Sequence, residues 1–477
     1  FNIMDAASQQ EFVRRTQEIA LRLAPGEWIV GGFWGAYDQW SRGRASAEAR
    51  EPFTPDLFLV KELTRHRPLF IQKFDASEFA VNEAALARVG LDPEKPAPEG
   101  VEFIFDGRGV FTGRIRGSGV LRLFTPHIPE QSYSRRLRQS RRALEEIRRR
   151  GVTTISDMSD DLQLQIFEDL HAAGELTVRV HFRYPIEQWE SLADRGVRIG
   201  SGTPWIRLGA LKGHVDGIMG NSTARFLQPY EHLPETRGNW RRLLVDEEGD
   251  FAGERFLEFM KLADRAGLQL SIHAIGDKAN RLLLDYLEAM IQENGQKDRR
   301  VRLVHAQVLA PEDFTRLGGL NVIAEVQPYH LSDDMRWMEE RIGRKRCRGA
   351  YGFKTILDSG ALLTFGSDWP GTSAAEYPID PMLGIYAAVT RRTIEGEPQG
   401  GWFPEERIGI EDALRAYTYH SAYANFEEKL TGSIEVGKLA DLAVLSRNVL
   451  EIEADEIPDV SVHYTIVEGR IVFQASD

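Results

Sequence analysis

Three side chains of metal-binding type stand near the ends of short β-rich runs in this 477-residue chain. His273 lies in LQLSIHAIGD, His305 in RVRLVHAQ and Asp368 in ALLTFGSDWP. Imidazole nitrogens and carboxylate oxygens are ligands that zinc and similar divalent cations accept. A lone histidine in an apolar strand is more often a packed core residue. Two of them at the same end of successive strands, with an aspartate that needs a partner once buried, favour a shared cation about as much as a structural role.

Lys212 stands inside another such run, IRLGALKGHVDG. A buried lysine either pairs with a neighbouring acid, such as Asp216 or Asp368, or loses its charge because desolvation lowers its pKa. A neutral amine can add carbon dioxide to become a carbamate, a carboxylate-like group that can bridge two metal ions. The sequence leaves both interpretations open.

The composition narrows the classes of protein to which these residues belong. A net charge of −13 argues against a nucleic-acid binder that relies on phosphate contacts. The single cysteine, Cys347, excludes an intrachain disulfide and a cysteine-based zinc site. No run of about 18 apolar residues occurs, so no membrane-spanning helix is expected. The expected partner is therefore a small molecule rather than nucleic acid or a membrane.

From about residue 150 the β-rich runs alternate with amphipathic segments such as GERFLEFMKLADRAG. Strands that alternate with helices predict an α/β fold with a parallel sheet. Seven strands can be identified, whereas a closed (β/α)8 TIM barrel has eight, so the first strand is expected upstream of residue 1. The seven runs span residues 151–158, 176–185, 206–217, 268–277, 300–307, 321–328 and 361–370.

The chain is predicted to contain three parts. The first contains a helix within 7–26 and a hairpin within 100–117, with Asp106-Gly107 at its turn. The last contains strands at 440–446 and 462–473. The parts are an insertion subdomain between the first two barrel strands (1–140), the barrel (141–428), and the C-terminal strands of a small β-sandwich (429–477).

The chain resembles the amidohydrolase superfamily, and within it amidohydrolase family 3, the YtcJ-like metal-dependent hydrolases that include N-substituted formamide deformylases. The resemblance covers nearly the whole chain, and its motifs are specific as an ordered set. They are KGHVDGIMGNSTA (212–224), HAIGD (273–277), HAQ (305–307), FGSDWP (365–370) and the tail GSIEVGKLADLAVLS (432–446).

This resemblance implies a hydrolase that uses one or two divalent metal ions, with zinc as the expected metal, to cleave the C–N bond of an amide or N-formyl compound. His273 and His305 would bind the more exposed metal. Asp368 would bind the other metal and act as the base for the hydrolytic water. Lys212, as a carbamate, would bridge the two ions.

One family feature is missing from these residues. The first strand of the family ends in a His-x-His pair of metal ligands, and no such pair occurs in the 477 residues. We expect the pair to lie upstream of residue 1. The alternatives are a separately supplied strand, or a degenerate barrel that acts as a non-catalytic binding or scaffold protein. An isomerase or lyase that uses the same site is a further alternative.

The remaining assignments concern the pocket and the assembly. His330, in EVQPYH, is predicted to contact substrate or a developing oxyanion, and a surface-loop role is the alternative. Trp34, Trp40 and Trp369 are predicted to line an apolar pocket, although most tryptophans serve packing. A cytoplasmic location and a homodimer are also expected.

Overall fold

The computed structural model describes residues 1–36 and 53–476. Two compact units divide the chain, residues 1–131 with 371–376, and residues 132–370 with 377–477. The predicted boundary at residue 140 lies inside a helix, and the predicted β-sandwich strands belong to the same unit as the barrel strands. The predicted three-part division stays a prediction.

A five-stranded sheet forms the first unit, in the order β1-β2-β3-β5-β4, and only its β1/β2 pair is parallel. The predicted hairpin is confirmed by the antiparallel pair β4 and β5, and the Asp106 carboxylate accepts backbone N–H bonds at its turn. The predicted first helix is confirmed as well. The elements are α1 (Gln9–Arg22), β1 (Ile29–Trp34), α2 (Lys61–Thr64), β2 (Leu69–Lys73), β3 (Phe79–Val81), α3 (Glu83–Val89), β4 (Glu102–Phe105), β5 (Phe111–Arg116) and α4 (Val120–Phe124).

A seven-stranded parallel sheet is the scaffold of the second unit. All seven predicted strands are confirmed, and they pair in chain order, as expected when a helix connects each strand to the next. The strands are β6 (Thr154–Asp157), β7 (Arg179–Pro185), β8 (Ile206–His214), β9 (Gln269–Ala274), β10 (Arg302–His305), β11 (Ile323–Val326) and β12 (Leu362–Phe365).

Helices of this unit separate the strands along the chain. The predicted helix at 253–267 is confirmed as α8 (Glu254–Arg265), which buries Phe256, Met260 and Ala263 at helical spacing. Among the described helices, none combines the length and the apolar character needed to cross a membrane. The helices are α5 (Tyr133–Arg149), α6 (Asp161–Ala172), α7 (Trp189–Asp194), α8 (Glu254–Arg265), α9 (Asp277–Asn294), α10 (Phe314–Gly319), α11 (Pro328–Asp334), α12 (Met338–Cys347), α13 (Phe353–Asp358), α14 (Pro381–Thr390), α15 (Ile410–Tyr417) and α16 (Tyr419–Ala424).

An antiparallel sheet of three strands ends the chain, and it confirms the predicted C-terminal strands. They are β13 (Leu442–Leu445), β14 (Val462–Val467) and β15 (Arg470–Gln474). The tail motif connects this segment to the parallel sheet. The carboxylate of Asp441 accepts two hydrogen bonds from the buried guanidinium of Arg179 on β7, at 2.5 and 3.0 Å.

The parallel sheet is strongly curled. Arg183 on β7 donates two hydrogen bonds, of 3.0 and 2.9 Å, to Glu325 on β11, although three strands lie between them. In a flat sheet β7 and β11 would be about 19 Å apart, four inter-strand spacings of roughly 4.8 Å, which is too far for these two side chains. The ion pair therefore crosses the concave face, and side chains from distant strands meet there.

Candidate functional site

The inner face of the curled sheet is polar, and its outer face is apolar. Parallel neighbours in register share a face, and alternate residues of a strand face opposite ways. Lys212 pairs with Ser271, and His214 pairs with His273, so these four side chains share the inner face with Arg183 and Glu325. The outward positions between them carry residues such as Leu211, Leu270 and Ile272.

His305 reaches this site through an unusual backbone conformation. Its register partner is Ala274, not His273, so regular alternation would direct its side chain to the outer face. However, His305 ends β10 with φ 78°, in a left-handed region that costs a non-glycine residue about 1 kcal/mol or more. Its ring lies 4.6 Å, between ring centroids, from the ring of His273. A strained backbone conformation that brings two imidazole rings together is typical of a functional site.

His305, His330 and Asp368 form a cluster whose ligand-type atoms all lie within 4.8 Å of one another. Nε2 of His330 is 3.7 Å from Oδ2 of Asp368, it is buried, and it makes no well-formed hydrogen bond among the described residues. Asp368 also has a positive φ, 55°. Burial raises the pKa of Asp368, and the positive charge of Lys212 partly counteracts that rise.

The Nε2 atom of His273 is held by hydrogen-bond acceptors outside this cluster. It lies 3.0 Å from the carbonyl oxygen of Gly217 and 3.3 Å from Oδ1 of Asp216. The Asp216 carboxylate is fully buried and accepts backbone N–H bonds from Arg225, Ile275 and Gly276, at 2.7 to 3.0 Å. Because Nε2 faces two acceptors, it carries the proton, and the lone pair of His273 is on Nδ1.

Lys212 is buried, and among the described residues its ammonium group forms no ion pair. Neither the ion pair with Asp216 nor the one with Asp368 that the sequence left open is formed in the part of the chain that the structure describes, and Asp216 instead accepts backbone N–H groups. Burial, and then the charge of Arg183, lower the pKa of Lys212 to about 7. A substantial fraction of the amine is thus neutral near pH 7.

Below these residues lies a charged triad that the sequence analysis missed. The Glu325 carboxylate accepts two bonds from Arg183 and one of 2.5 Å from Arg302 on β10. Burial raises the pKa of Glu325, but the two guanidiniums outweigh it and lower the pKa to about 2. The sequence does contain a sign of this triad, because Glu325 is a charged residue within the mostly apolar run NVIAEVQP.

The tryptophans have separate surroundings. Trp34 is buried in the hydrophobic core of the first unit, with Ile29 and Phe12. Trp369 follows Asp368 and is half-buried, and Trp40 lies outside the described residues. Their assignment to a substrate pocket stays a prediction.

The donor set fits a divalent metal ion. His305 and Asp368 converge at one end of the sheet, and His273 adjoins His305, so two imidazole groups and a carboxylate are available to one ion. Nitrogen and oxygen donors of this kind suit zinc and related ions. In parallel α/β folds, ligands and catalytic groups gather at the carboxyl ends of the strands, which is where these residues lie.

Comparisons with known proteins agree with this architecture. Residues 2–473 match the model of the family described as "Amidohydrolase family". The chain is 32% identical to Protein LONG AFTER FAR-RED 3 of Arabidopsis thaliana, over 98% of this chain and 77% of that protein. It is 27% identical to the amidohydrolase YtcJ of Bacillus subtilis, with 98% and 84% covered, and 24% identical to N-substituted formamide deformylase of Arthrobacter pascens, with 98% and 83% covered.

A solved structure resembles it along most of its length. A metal-dependent hydrolase from Pyrococcus horikoshii superposes with a TM-score of 0.71 and 26% identity, covering 95% of this chain and 83% of that one. The resemblance inferred from the sequence motifs is confirmed.

Proposed function

The chain belongs to the amidohydrolase family, and on that premise we propose that it is a metal-dependent hydrolase that cleaves the C–N bond of a small amide or N-formyl compound. The observation that carries the proposal is the convergence of His305 and Asp368, whose ligand-type atoms lie within 4.8 Å of each other, with the ring of His273 4.6 Å from that of His305. Three side chains of metal-binding type from three different strand ends meet here, as a shared cation would require.

His273, His305, Asp368 and a modified Lys212 are the residues that we propose to hold one or two divalent ions, with zinc as the preferred metal. Such an ion supplies a water of lowered pKa and polarises the scissile carbonyl. Asp368 is proposed to accept the proton of the attacking water at a carboxylate oxygen and to deliver it to the leaving nitrogen. Burial raises the pKa of Asp368, and a carboxyl group with a higher pKa is a more effective acid–base catalyst near neutral pH.

Lys212 is proposed to carry a carbamate. Its neutral Nζ would add to the carbon of carbon dioxide and release one proton, which leaves a group with a single negative charge. The lowered pKa of Lys212 supports this step, since only the neutral amine is nucleophilic. A buried lysine next to Arg183 would also be relieved of a like-charge repulsion once it became an anion.

The substrate proposal rests on the relatives. One of them is a deformylase of N-substituted formamides, and its similarity extends over 98% of this chain. We propose a small amide-like substrate, a homodimeric assembly and a cytoplasmic location. A closed eight-stranded barrel with a small β-sandwich belongs to the same proposal.

The experiment combines metal analysis with turnover. Purified protein is expected to contain at least one transition-metal ion per chain and to release formate from N-benzylformamide. His273→Ala and His305→Ala are each expected to lower metal content and activity at least tenfold, with the fold retained. His463→Ala, at an exposed position on β14, is the matched control and is expected to change neither.

Protein that binds less than a tenth of an ion per chain, and whose stability does not change on chelation, would refute the hydrolase proposal. That result would favour the non-catalytic barrel. Metal with full occupancy but no product from a panel of amides would instead favour an isomerase or lyase.

A further inference from the structure

Two glutamines contact two histidines of the site with opposite polarity. Gln327, directly after β11, faces Nδ1 of His305 with its amide oxygen, at 2.7 Å. Gln307, two residues after β10, faces Nδ1 of His330 with its amide nitrogen, at 3.3 Å. An amide oxygen only accepts and an amide nitrogen only donates, so the two contacts select different tautomers.

The orientation of Gln327 is fixed independently. Its Nε2 donates to the carbonyl oxygen of Glu325 at 3.4 Å, which leaves Oε1 for the histidine. His305 therefore carries its proton on Nδ1, and its lone pair is on Nε2. This is the tautomer of a metal ligand, with the second nitrogen bonded to an outer acceptor.

His330 has the reverse arrangement. Gln307 Nε2 donates to Nδ1, while its Oε1 has no hydrogen-bond partner among the described residues, so the proton of the neutral ring is on Nε2, the atom that lies 3.7 Å from Asp368. His330 also bonds to the backbone of Ser367, beside Asp368. The ring is buried and stacked on Tyr377, with 3.7 Å between ring centroids, so its direction is restrained. A nitrogen that carries a proton has no lone pair for a metal ion, but it can donate a hydrogen bond.

We propose that His330 is not a metal ligand but the hydrogen-bond donor that binds the carbonyl oxygen of the substrate through Nε2–H, and that Gln307 positions it by fixing its tautomer. This inference rests on the proposed hydrolase function. It assigns different roles to two histidines whose nitrogens lie in one cluster. The donor would bind the oxygen more strongly as negative charge develops on it, which is where a fixed donor accelerates hydrolysis.

The first test separates a donor from a ligand by metal affinity, which needs no turnover. His330→Asn is expected to retain zinc affinity within about twofold, while His305→Asn, the same substitution at a ligand, loses at least tenfold. Nitrogen-15 spectra of histidine-labelled protein are expected to show His330 as the Nε2–H tautomer and His305 as the Nδ1–H tautomer. A zinc affinity reduced tenfold in His330→Asn, or an Nδ1–H tautomer for His330, would overturn the proposal.

The second test reverses the polarity of the positioning residue. Gln307→Glu presents an acceptor to His330 and is expected to move its proton to Nδ1. We expect kcat on N-benzylformamide to fall 10²- to 10³-fold in Gln307→Glu and in His330→Asn, with KM changed less than threefold. Gln327→Glu, which still offers an acceptor to His305, is expected to lose less activity than Gln307→Glu. Equal losses in the two glutamate variants would contradict the polarity argument.

The outcomes also distinguish this proposal from the hydrolase proposal. Wild-type protein without metal or turnover would remove the proposed function. The tautomers are measured on the protein without substrate. They would still show whether Gln327 holds His305 as the Nδ1–H tautomer and Gln307 holds His330 as the Nε2–H tautomer.

Discussion

Replacing Glu325 by glutamine tests whether the charged triad stabilises the curled sheet. The substitution keeps the shape of the side chain and removes its charge. It leaves two buried guanidiniums, Arg183 and Arg302, without a counter-ion between them. Because these contacts join β11 to β7 across the concave face and to β10 beside it, the cost is expected in global stability.

The magnitude follows from the pKa of Glu325. A fall from the ordinary value of 4.5 to about 2 corresponds to about 3 kcal/mol of stabilisation at pH 7. Removing one member of a buried ion pair typically costs about 3–5 kcal/mol, which agrees. Burial and then Arg183 lower the pKa of Arg302 to about 10, so its pairing with Glu325 offsets only part of its desolvation. We therefore expect Glu325→Gln to lose about 3 kcal/mol.

The pH dependence has a definite sign. The pKa of Glu325 is lower in the folded protein than in the unfolded chain, so the carboxylate stabilises the fold above about pH 4.5 and loses this effect as the pH falls towards 2. The stability difference between wild type and Glu325→Gln is expected to be constant above pH 5. It should narrow by roughly 1 kcal/mol between pH 5 and pH 3.5.

The assay is urea unfolding followed by circular dichroism at several pH values. The control is Glu175→Gln, which removes a carboxylate from an equally bidentate but half-exposed pair with Arg141, at 2.6 and 3.0 Å. Exposed ion pairs contribute little to stability because solvent screens them. The reasoning is refuted if Glu325→Gln loses no more stability than Glu175→Gln, or if its deficit grows as the pH falls.

Three further predictions concern the metal, the lysine and the tail. Chelation is expected to remove about 3 kcal/mol of stability from protein kept at 100 times the metal Kd, and an unchanged melting curve would contradict metal binding. Lys212→Ala is expected to lose activity and to regain part of it with millimolar propionate, whose carboxylate replaces the carbamate, while rescue by ethylamine would contradict the carbamate. Arg179→Met leaves the Asp441 carboxylate buried and unpaired, so it should cost about 3–5 kcal/mol and expose the segment before β13 to limited proteolysis. Resistance equal to that of the wild type would contradict a role for this pair.

The sheet was predictable because its strands have a regular pattern. Each run is short, β-rich and bounded by a helical segment, so the strand number and the parallel order followed from the sequence. The polar inner face left a signal in the sequence that the analysis did not use, since β7 alternates Arg179, His181 and Arg183 with Val180 and Phe182. That alternation indicates a sheet that encloses polar contacts, although the partner of each charge depends on the curl and is not encoded locally.

The meeting of His273 and His305 could not be derived from alternation. Register places the two side chains on opposite faces, and only the positive φ of His305 brings the rings together. Histidine is more common at positive φ than most non-glycine residues, but only a small minority of histidines adopt it, so the residue type alone does not predict this turn. The prediction that both histidines share a site rested on their position at the same end of successive strands and on the family motifs, and the positive φ of His305 supplies its physical basis.

The triad and the site are electrostatically connected through Arg183. Its guanidinium is one of the two groups that hold Glu325 ionised, and its charge is the largest electrostatic contribution to the lowered pKa of Lys212 after burial. Glu325 acts on Lys212 in the opposite direction, so the net charge below the lysine is the balance of these residues. Burial is the main cause of the lowered pKa of Lys212, and the two arginines around one glutamate add to it. The contacts that cross the concave face thus also contribute to the lowered pKa of the amine.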